Sequence, residues 1–137
     1  MPLRLPRPLY DRIVKEARRA HPRECCGLVS GVEGRVEALH PLPNASEEPL
    51  GFRADAAAQR AALAEISRAG LEWIGTYHSH AFDVAAPSGA DIDAASRPAA
   101  GGDRVHLVVS FMNPTRPRLA AYRIHRGRDV SEEVIVE

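Results

Sequence analysis

Apolar residues recur at helical spacing in one segment of this chain, and two further segments have other features of a helix. From Pro8 to His21, apolar residues recur every three or four positions with basic residues opposite them, which predicts an amphipathic helix. Proline is well suited to the first turn of a helix, and a second proline after His21 ends it. Residues 54–69 are rich in alanine and precede Gly70, a residue type that often terminates helices. A third, short helix is predicted over residues 89–96.

The remaining apolar segments are strand-like, and one of them, residues 104–112, alternates loosely. They cover residues 3–5, 25–30, 35–42, 71–80, 104–112, 119–125 and 130–136. The second and third of these segments are expected to form a hairpin across Gly31 and Gly34. The order of helices and strands predicts the α/β (α+β) class, with a single mixed, largely antiparallel sheet flanked by helices.

The composition is that of one globular domain. The chain has 137 residues, of which 45% are hydrophobic and 26% are charged, and these values are not those of a disordered chain. We therefore expect a single domain over residues 1–137. The formal net charge of zero gives no support to binding of nucleic acid or of a membrane surface.

The sequence predicts a cytoplasmic protein. Three prolines interrupt the first residues, where a secretory signal would be apolar, and no apolar run reaches the roughly 18 residues of a membrane span. Cys25 and Cys26 are the only cysteines, and a disulfide between adjacent residues would close almost no loop. Reduced, structural thiols are the expected state of both.

The stretch GTYHSHAFDVAAPSGAD, residues 75–91, places two histidines at the end of a predicted strand. Alternate residues of a strand point to the same face, so His78 and His80 project together while Ser79 points away. Their Cα atoms are expected about 6–7 Å apart, and two imidazoles at that spacing can bind one metal ion. A catalytic zinc site would need a third protein ligand and one open position.

Three aspartates downstream of His80 are candidates for the third ligand. Asp91 is the first choice, because the loop before it can fold back and a carboxylate oxygen is an ordinary zinc ligand. Asp83 would need a tight turn to reach the metal, and Asp93 is a further rival. Ser88 and Asp91 also have the spacing of a capping box, so on a second interpretation they only begin a helix.

The combined pattern resembles the JAMM motif, also called MPN-plus, of zinc metalloproteases. That motif has His-x-His, seven residues, Ser, two residues and Asp, which His78, His80, Ser88 and Asp91 match in type and spacing. The upstream segment HPRECCGLVSG resembles the part of the family that carries a distant glutamate, here Glu24. The resemblance extends over nearly the whole chain, including the segment FRAD at residues 52–55.

The resemblance implies a fold like that of cytidine deaminases and a site with one Zn²⁺. In that site His78, His80 and Asp91 hold the metal, Glu24 is the general base and acid, and Ser88 stabilises the oxyanion. The implied reaction is cleavage of a peptide or isopeptide bond after the C-terminal Gly-Gly of a ubiquitin-like or sulfur-carrier protein. The loops are short, as in minimal bacterial members, some of which release cysteine from a carrier adduct. Residue 81 is alanine where many members have proline, a change that removes no reactive group.

Other interpretations of the same residues predict different properties. The metallo-β-lactamase pattern requires Asp and His where this chain has Phe82 and Asp83. Zinc deaminases require His-x-Glu and Pro-Cys-x-x-Cys, and the chain has neither. A non-catalytic MPN-type scaffold or binding module remains an alternative, which bound zinc and an activity dependent on Glu24 would exclude. His106 lies in the apolar run VHLVVSF and is expected at the edge of the core.

Overall fold

A computed structural model describes residues 2–95, 104–125 and 127–137, without the side chains of residues 93–95 and 125. Its strands are β1 Leu3–Leu5, β2 Cys26–Val32, β3 Arg35–Leu42, β4 Glu72–His80, β5 Val105–Ser110, β6 Arg118–His125, β7 Arg128–Glu132 and β8 Val134–Val136. Its helices are α1 Arg7–Ala20, α2 Ala56–Arg68 and α3 Gly89–Ala95. The predicted end of the third helix at residue 96 lies outside the described residues.

The eight strands of the described residues belong to one sheet, in the order β7-β6-β5-β4-β2-β3-β1-β8. The pairs β7/β6, β6/β5, β4/β2 and β2/β3 are antiparallel, whereas β5/β4, β3/β1 and β1/β8 are parallel. The predicted class, a mixed and largely antiparallel sheet with helices beside it, is confirmed. None of the described helices is long and apolar enough to cross a membrane.

The prediction of one strand over residues 130–136 is wrong. The chain leaves β7 on one edge of the sheet, passes through Glu133 and enters β8 on the opposite edge. The carbonyl of Glu133 accepts a hydrogen bond from the Leu3 amide at 2.8 Å, which starts the pairing with β1. Because consecutive Cα atoms are about 3.8 Å apart, the two edges must approach each other at this corner, so the sheet is strongly curled. Residues 131–133 are Ser, Glu and Glu, so the apolar residues of this segment do not alternate across the break.

The two faces of the sheet are covered by different helices. Alternate residues of each strand point to opposite faces, so that Val29 packs on the side of α1 and Leu28 on the side of α2. Ile13 and Ala17 of α1 are buried in the larger cluster, and Ala62 and Ile66 of α2 in the smaller one. Burial of these apolar stripes is what attaches both helices to the sheet.

Helix α2 begins two residues later than predicted. Asp55 is its N-cap and accepts a hydrogen bond from the amide of Ala58 at 2.9 Å. Ala54, which was expected inside the helix, instead forms an isolated β-bridge with Asn44. A carboxylate that satisfies a free amide of the first turn determines this start more strongly than the helix propensity of alanine.

The face of β4 that points towards α1 anchors the strand. Tyr77 is fully buried, and its hydroxyl donates to the carboxylate of Glu16 on α1 at 2.7 Å. The ring lies across Gly27 of β2, where any Cβ atom would collide with it. Since Tyr77 is fixed on this face, the neighbouring residue His78 is directed to the other face of the sheet.

Candidate metal centre

The two histidines of β4 meet at the end of the strand. The exposed fractions of His78 and His80 are 2% and 4%, and their Nε2 atoms are 3.2 Å apart. Ser79 points to the opposite side, where its hydroxyl accepts a hydrogen bond from the Cys25 amide at 2.8 Å. Because β4 pairs with β2 on one side and β5 on the other, the backbone that carries both imidazoles is held from two directions.

Asp91 is brought to these imidazoles by the first turn of α3. Its Oδ2 atom lies 3.1 Å from Nε2 of His78 and 3.0 Å from Nε2 of His80. The amide of Ser88 donates to the same oxygen at 2.9 Å, and the Asp91 amide donates to the Ser88 hydroxyl at 3.1 Å. Burial alone would raise the pKa of Asp91, but the hydrogen bonds from His78 and His80 outweigh it and hold that pKa well below its usual range.

Each imidazole also makes a contact outside the cluster. Nδ1 of His80 donates to the carbonyl of Val84 at 2.8 Å, so Nε2 is the ring nitrogen left to bind a proton or a metal ion at the cluster. Burial lowers the pKa of His80, but the bonds to Asp91 and Val84 outweigh this and raise it to about 9. The ring of His78 stacks on Phe52, with centroids 4.5 Å apart and planes at 24°. Its Nδ1 atom is buried and has no hydrogen-bond partner within the described residues.

Glu24 lies just before β2, beside the two histidines. The ligand atoms of Glu24, His78 and His80 all lie within 4.8 Å of one another, and these three buried residues form a group that could hold a metal ion. Oε2 of Glu24 accepts a hydrogen bond from the Gly51 amide at 2.9 Å, whereas Oε1 is buried without a partner in the described part of the chain. Burial raises the pKa of Glu24, against the opposing effects of the Gly51 bond and the nearby imidazoles.

The donor atoms fit a tetrahedral divalent cation. The Nε2 atoms of both histidines and Oδ2 of Asp91 form a triangle with sides of 3.0–3.2 Å. Two ligands at zinc distances of 2.0–2.1 Å in tetrahedral geometry would be about 3.3 Å apart, close to these values. Lone pairs that converge this closely repel one another unless a cation or a proton lies between them. Imidazole nitrogen with carboxylate oxygen is a donor set that suits zinc.

The rival ligand Asp83 does not join this triangle. Its side chain is exposed, and Oδ1 accepts a hydrogen bond from the adjacent Val84 amide at 2.8 Å. The side chain of Asp93, the other rival, lies outside the described residues. Of the two candidate aspartates whose side chains are described, only Asp91 therefore contacts the imidazoles.

A cavity of about 790 Å³ opens beside the centre, and its walls are mostly apolar. It is lined by Cys26 and Leu28 of β2, by Phe52 and residues of α2, and by His78 and Asp91 of the centre. His106 is buried and also lines this cavity, with Nδ1 at 2.9 Å from the Thr76 hydroxyl.

Cys25 and Cys26 are free and buried, and burial raises the pKa of each thiol to about 12, which does not suit a nucleophile.

Sequence reasoning did not identify three of the groups around the centre, namely the Gly51 amide, the Phe52 ring and the Val84 carbonyl. Two of these groups act through the backbone, so residue type carries no sign of them. Phe52 belongs to the segment that resembles short bacterial JAMM members, which was the one available signal, but the resemblance gave it no role.

Comparison with known proteins identifies the family. The sequence model of the prokaryotic homologs of the JAB domain matches residues 6–125. The chain belongs to this prokaryotic JAB family. The CysO-cysteine peptidase of Mycobacterium tuberculosis is 35% identical over 130 residues, which cover 93% of this chain and 86% of that protein. The resemblance to short bacterial JAMM domains is confirmed, and this JAB-domain protein is a peptidase.

Two further relatives extend the comparison. The "Probable TtuB-protein conjugate cleaving protease" of Thermus thermophilus is 38% identical over 91 residues, which cover 66% of this chain and 61% of that protein. The solution structure of protein DSY2949 from Desulfitobacterium hafniense superposes with a TM-score of 0.87 at 29% identity, and the match covers 98% of this JAB domain and 92% of that chain. The fold described above is therefore shared over almost the full length of both chains.

Proposed function

We propose that residues 1–137 form one zinc-dependent peptidase domain of the cytoplasm that cleaves the bond after the C-terminal Gly-Gly of a sulfur-carrier or ubiquitin-like protein. The observation that carries this proposal is the triangle of His78 Nε2, His80 Nε2 and Asp91 Oδ2 beside the buried carboxylate of Glu24. The names of the relatives support the substrate class, since one is a peptidase for a CysO-cysteine bond and another cleaves TtuB-protein conjugates.

His78, His80 and Asp91 are the proposed zinc ligands, and a bound zinc ion would supply a Lewis acid that makes water nucleophilic at neutral pH. We prefer Asp91 to Glu24 as the third ligand because its Oδ2 lies 3.0–3.1 Å from both imidazole nitrogens. The Ser88 amide and the Val84 carbonyl orient Asp91 and His80 by hydrogen bonds, as outer partners of metal ligands commonly do.

Glu24 is the proposed general base and acid. Its Oε2 is engaged by the Gly51 amide, so Oε1 is the atom available to take a proton from the attacking water and pass it to the leaving amine. A carboxylate of ordinary pKa is a weak proton acceptor near neutral pH. Burial of Glu24 raises its pKa, which is the direction this role requires.

Ser88 is the proposed oxyanion donor. In the capping box its hydroxyl oxygen only accepts a hydrogen bond, from the Asp91 amide. The hydroxyl hydrogen therefore stays available for the oxygen of a tetrahedral intermediate, and one side chain can perform both tasks.

The Gly-Gly tail is proposed to lie extended in the cavity beside the centre, with β2 as one wall. Glycine has no side chain to keep the scissile carbonyl away from the ligands. On this hypothesis the specificity resides in the tail and the carrier body, so a cysteine adduct and a lysine isopeptide are both cleaved.

The test offers the zinc-loaded protein two fusions of a sulfur-carrier protein to a small reporter, identical except that the junction follows Gly-Gly in one and Ala-Ala in the other. We expect cleavage after Gly-Gly and a value of kcat/KM for Ala-Ala that is lower by about tenfold or more. Equal cleavage of both fusions would contradict the Gly-Gly proposal. Cleavage of neither, with zinc bound, would favour the non-catalytic scaffold.

A further inference from the structure

The loop between β3 and α2, residues 44–54, lies against the metal centre and is organised by one side chain. We call this segment the Asn44 loop. The amide of Asn44 donates to the carbonyls of Glu24 at 2.9 Å and Gly51 at 3.2 Å. Its Oδ1 atom accepts from the backbone amides of Ser46 at 3.0 Å and Arg53 at 3.1 Å. All four hydrogen bonds that an asparagine side chain ordinarily makes are thus used to fold this loop and to attach it to Glu24.

Two successive residues of the Asn44 loop contact the centre itself. The Gly51 amide donates to Oε2 of Glu24 at 2.9 Å, and the Phe52 ring stacks on His78 with centroids 4.5 Å apart. Gly51 has a φ of +101°, a conformation that residues with a side chain rarely adopt. This conformation directs the amide towards Glu24 while the next side chain points at His78.

We propose that the Asn44 loop is a positioning element that holds Glu24 and His78 by two separate routes. Through Gly51 it fixes the carboxylate of Glu24 so that Oε1 faces the metal ligands. Through Phe52 it fixes the plane of the His78 ring, so that Nε2 faces Asp91 and His80. This inference rests on the proposed function, because it assigns work to residues around the proposed base and ligand.

In the part of the chain that the structure describes, Glu24 and His78 each have one buried polar atom without a hydrogen bond, so each side chain depends on its contact with the Asn44 loop for its orientation. Oε1 of Glu24 and Nδ1 of His78 are buried without hydrogen-bond partners in the described residues. Nδ1 of His80 bonds to Val84, whereas Nδ1 of His78 has no such bond within the described residues, and the stacked Phe52 ring holds His78 by contact instead. In the same way the Gly51 amide fixes Oε2 of Glu24, and Oε1 remains available for proton transfer.

A merely structural role for the loop predicts different behaviour. Three of the four hydrogen bonds of Asn44 stay within the loop, and the fourth, donated to the carbonyl of Glu24, leaves it. Asn44→Asp retains the acceptor and removes the donor. This variant also sets a carboxylate oxygen against the carbonyls of Glu24 and Gly51, so both Asn44 variants disturb the loop. If the loop only had to fold, the loss would appear in the free energy of unfolding of the zinc-free protein, and kcat of the folded variants would equal that of the wild type.

The first arm of the test measures kcat, KM and retained zinc for Asn44→Asp, Asn44→Ala and Gly51→Ala on the Gly-Gly fusion. We expect kcat to fall by about 10- to 100-fold, a part of what general base catalysis contributes, with zinc retained and KM changed less than about threefold. The matched control is Asn113→Ala, which removes an asparagine whose Oδ1 accepts from the amide and hydroxyl of Thr115 in another loop. That control should keep the wild-type kcat.

The second arm measures zinc affinity by competition with a chelator for Phe52→Leu and Phe52→Tyr. We expect about tenfold weaker binding in Phe52→Leu, since partners behind metal ligands contribute on this scale, and restored affinity in Phe52→Tyr, which keeps the stacked ring. Equal zinc affinity of both Phe52 variants would overturn the ligand route. Unchanged kcat in Gly51→Ala and Asn44→Asp would overturn the base route.

Failure of this inference is distinguishable from failure of the proposed function. If Glu24→Gln is inactive while the Asn44 loop variants behave as the wild type, the loop has no positioning role and the proposed function stands. If Glu24→Gln turns over at the wild-type rate, the proposed function itself is wrong. Thermal unfolding of the zinc-free variants identifies any that fail to fold, and the conservative Phe52 pair then still decides the ligand route.

Discussion

His78 and His80 lie on β4 in the middle of the sheet, whereas the groups that surround them come from loops and a short helix. The strand is paired on both sides, so its side chains have fixed directions before any ligand contact is made. Asp91, Phe52 and Val84 reach the same centre from three separate segments, each through its own contact. The ligand pair on the strand is thus preorganised by the fold, and the remaining groups are positioned by local hydrogen bonds and stacking.

The largest expected effect comes from removing the strand-borne pair. His78→Ala combined with His80→Ala should abolish both bound zinc and peptidase activity, because two of three proposed ligands are lost. Elemental analysis of the purified protein should change from about one zinc per chain to none. His40→Ala is the matched control, since this histidine of β3 bonds to Ser30 instead, with Nε2 and Oγ 2.8 Å apart. An undiminished zinc content in the double variant would show that the metal binds elsewhere in the protein.

The next effect separates a ligand from a base. Glu24→Gln keeps the shape of the side chain and can still accept the Gly51 hydrogen bond, but an amide cannot take a proton from water. We expect kcat to fall by about 10²–10⁴-fold while zinc content stays at the wild-type level. Loss of zinc in this variant would instead place Glu24 among the ligands with the two histidines, as the proximity of their donor atoms also permits.

These expectations depend on features that differ in how far sequence predicts them. The period of a strand places His78 and His80 on one face, and the capping-box spacing links Ser88 to Asp91 three residues later. Both are local relations that a sequence displays. The Gly51 amide bonds to a residue 27 positions away, and nothing in the type of either residue indicates that contact. The division of residues 130–136 between the two sheet edges is likewise decided by distant pairing with β1 and β6.

A smaller effect is expected at Ser88, where a local role and a catalytic role coincide. Ser88→Ala removes the N-cap of α3, which costs about 1 kcal/mol of stability, and also the oxyanion donor, which costs about 10²–10³-fold in kcat. Ser88→Gly removes the same hydroxyl but should cost only a few tenths of a kcal/mol, since glycine is a tolerated N-cap residue. Equal kcat losses in both variants, measured beside their unfolding free energies, would assign the kinetic loss to the hydroxyl. A stable and fully active Ser88→Gly variant would show that Ser88 only caps the helix and does not stabilise the oxyanion.

The smallest effect is expected at Asp83, the carboxylate that follows His80 most closely and yet points away from it. Its Oδ1 accepts a hydrogen bond from the Val84 amide, and its backbone carbonyl accepts one from the Ser110 hydroxyl. Asp83→Asn keeps an oxygen for the Val84 bond, so the loop that presents the Val84 carbonyl to His80 should stay in place. We expect unchanged zinc content, kcat within about twofold of the wild type and unfolding free energy within about 0.5 kcal/mol, as for ordinary surface substitutions. Asp91→Asn provides the contrast, because the oxygen it alters lies about 3 Å from both imidazoles and its loss of charge should release the metal. Release of zinc by Asp83→Asn, with Asp91→Asn unaffected, would reverse the assignment of the third ligand.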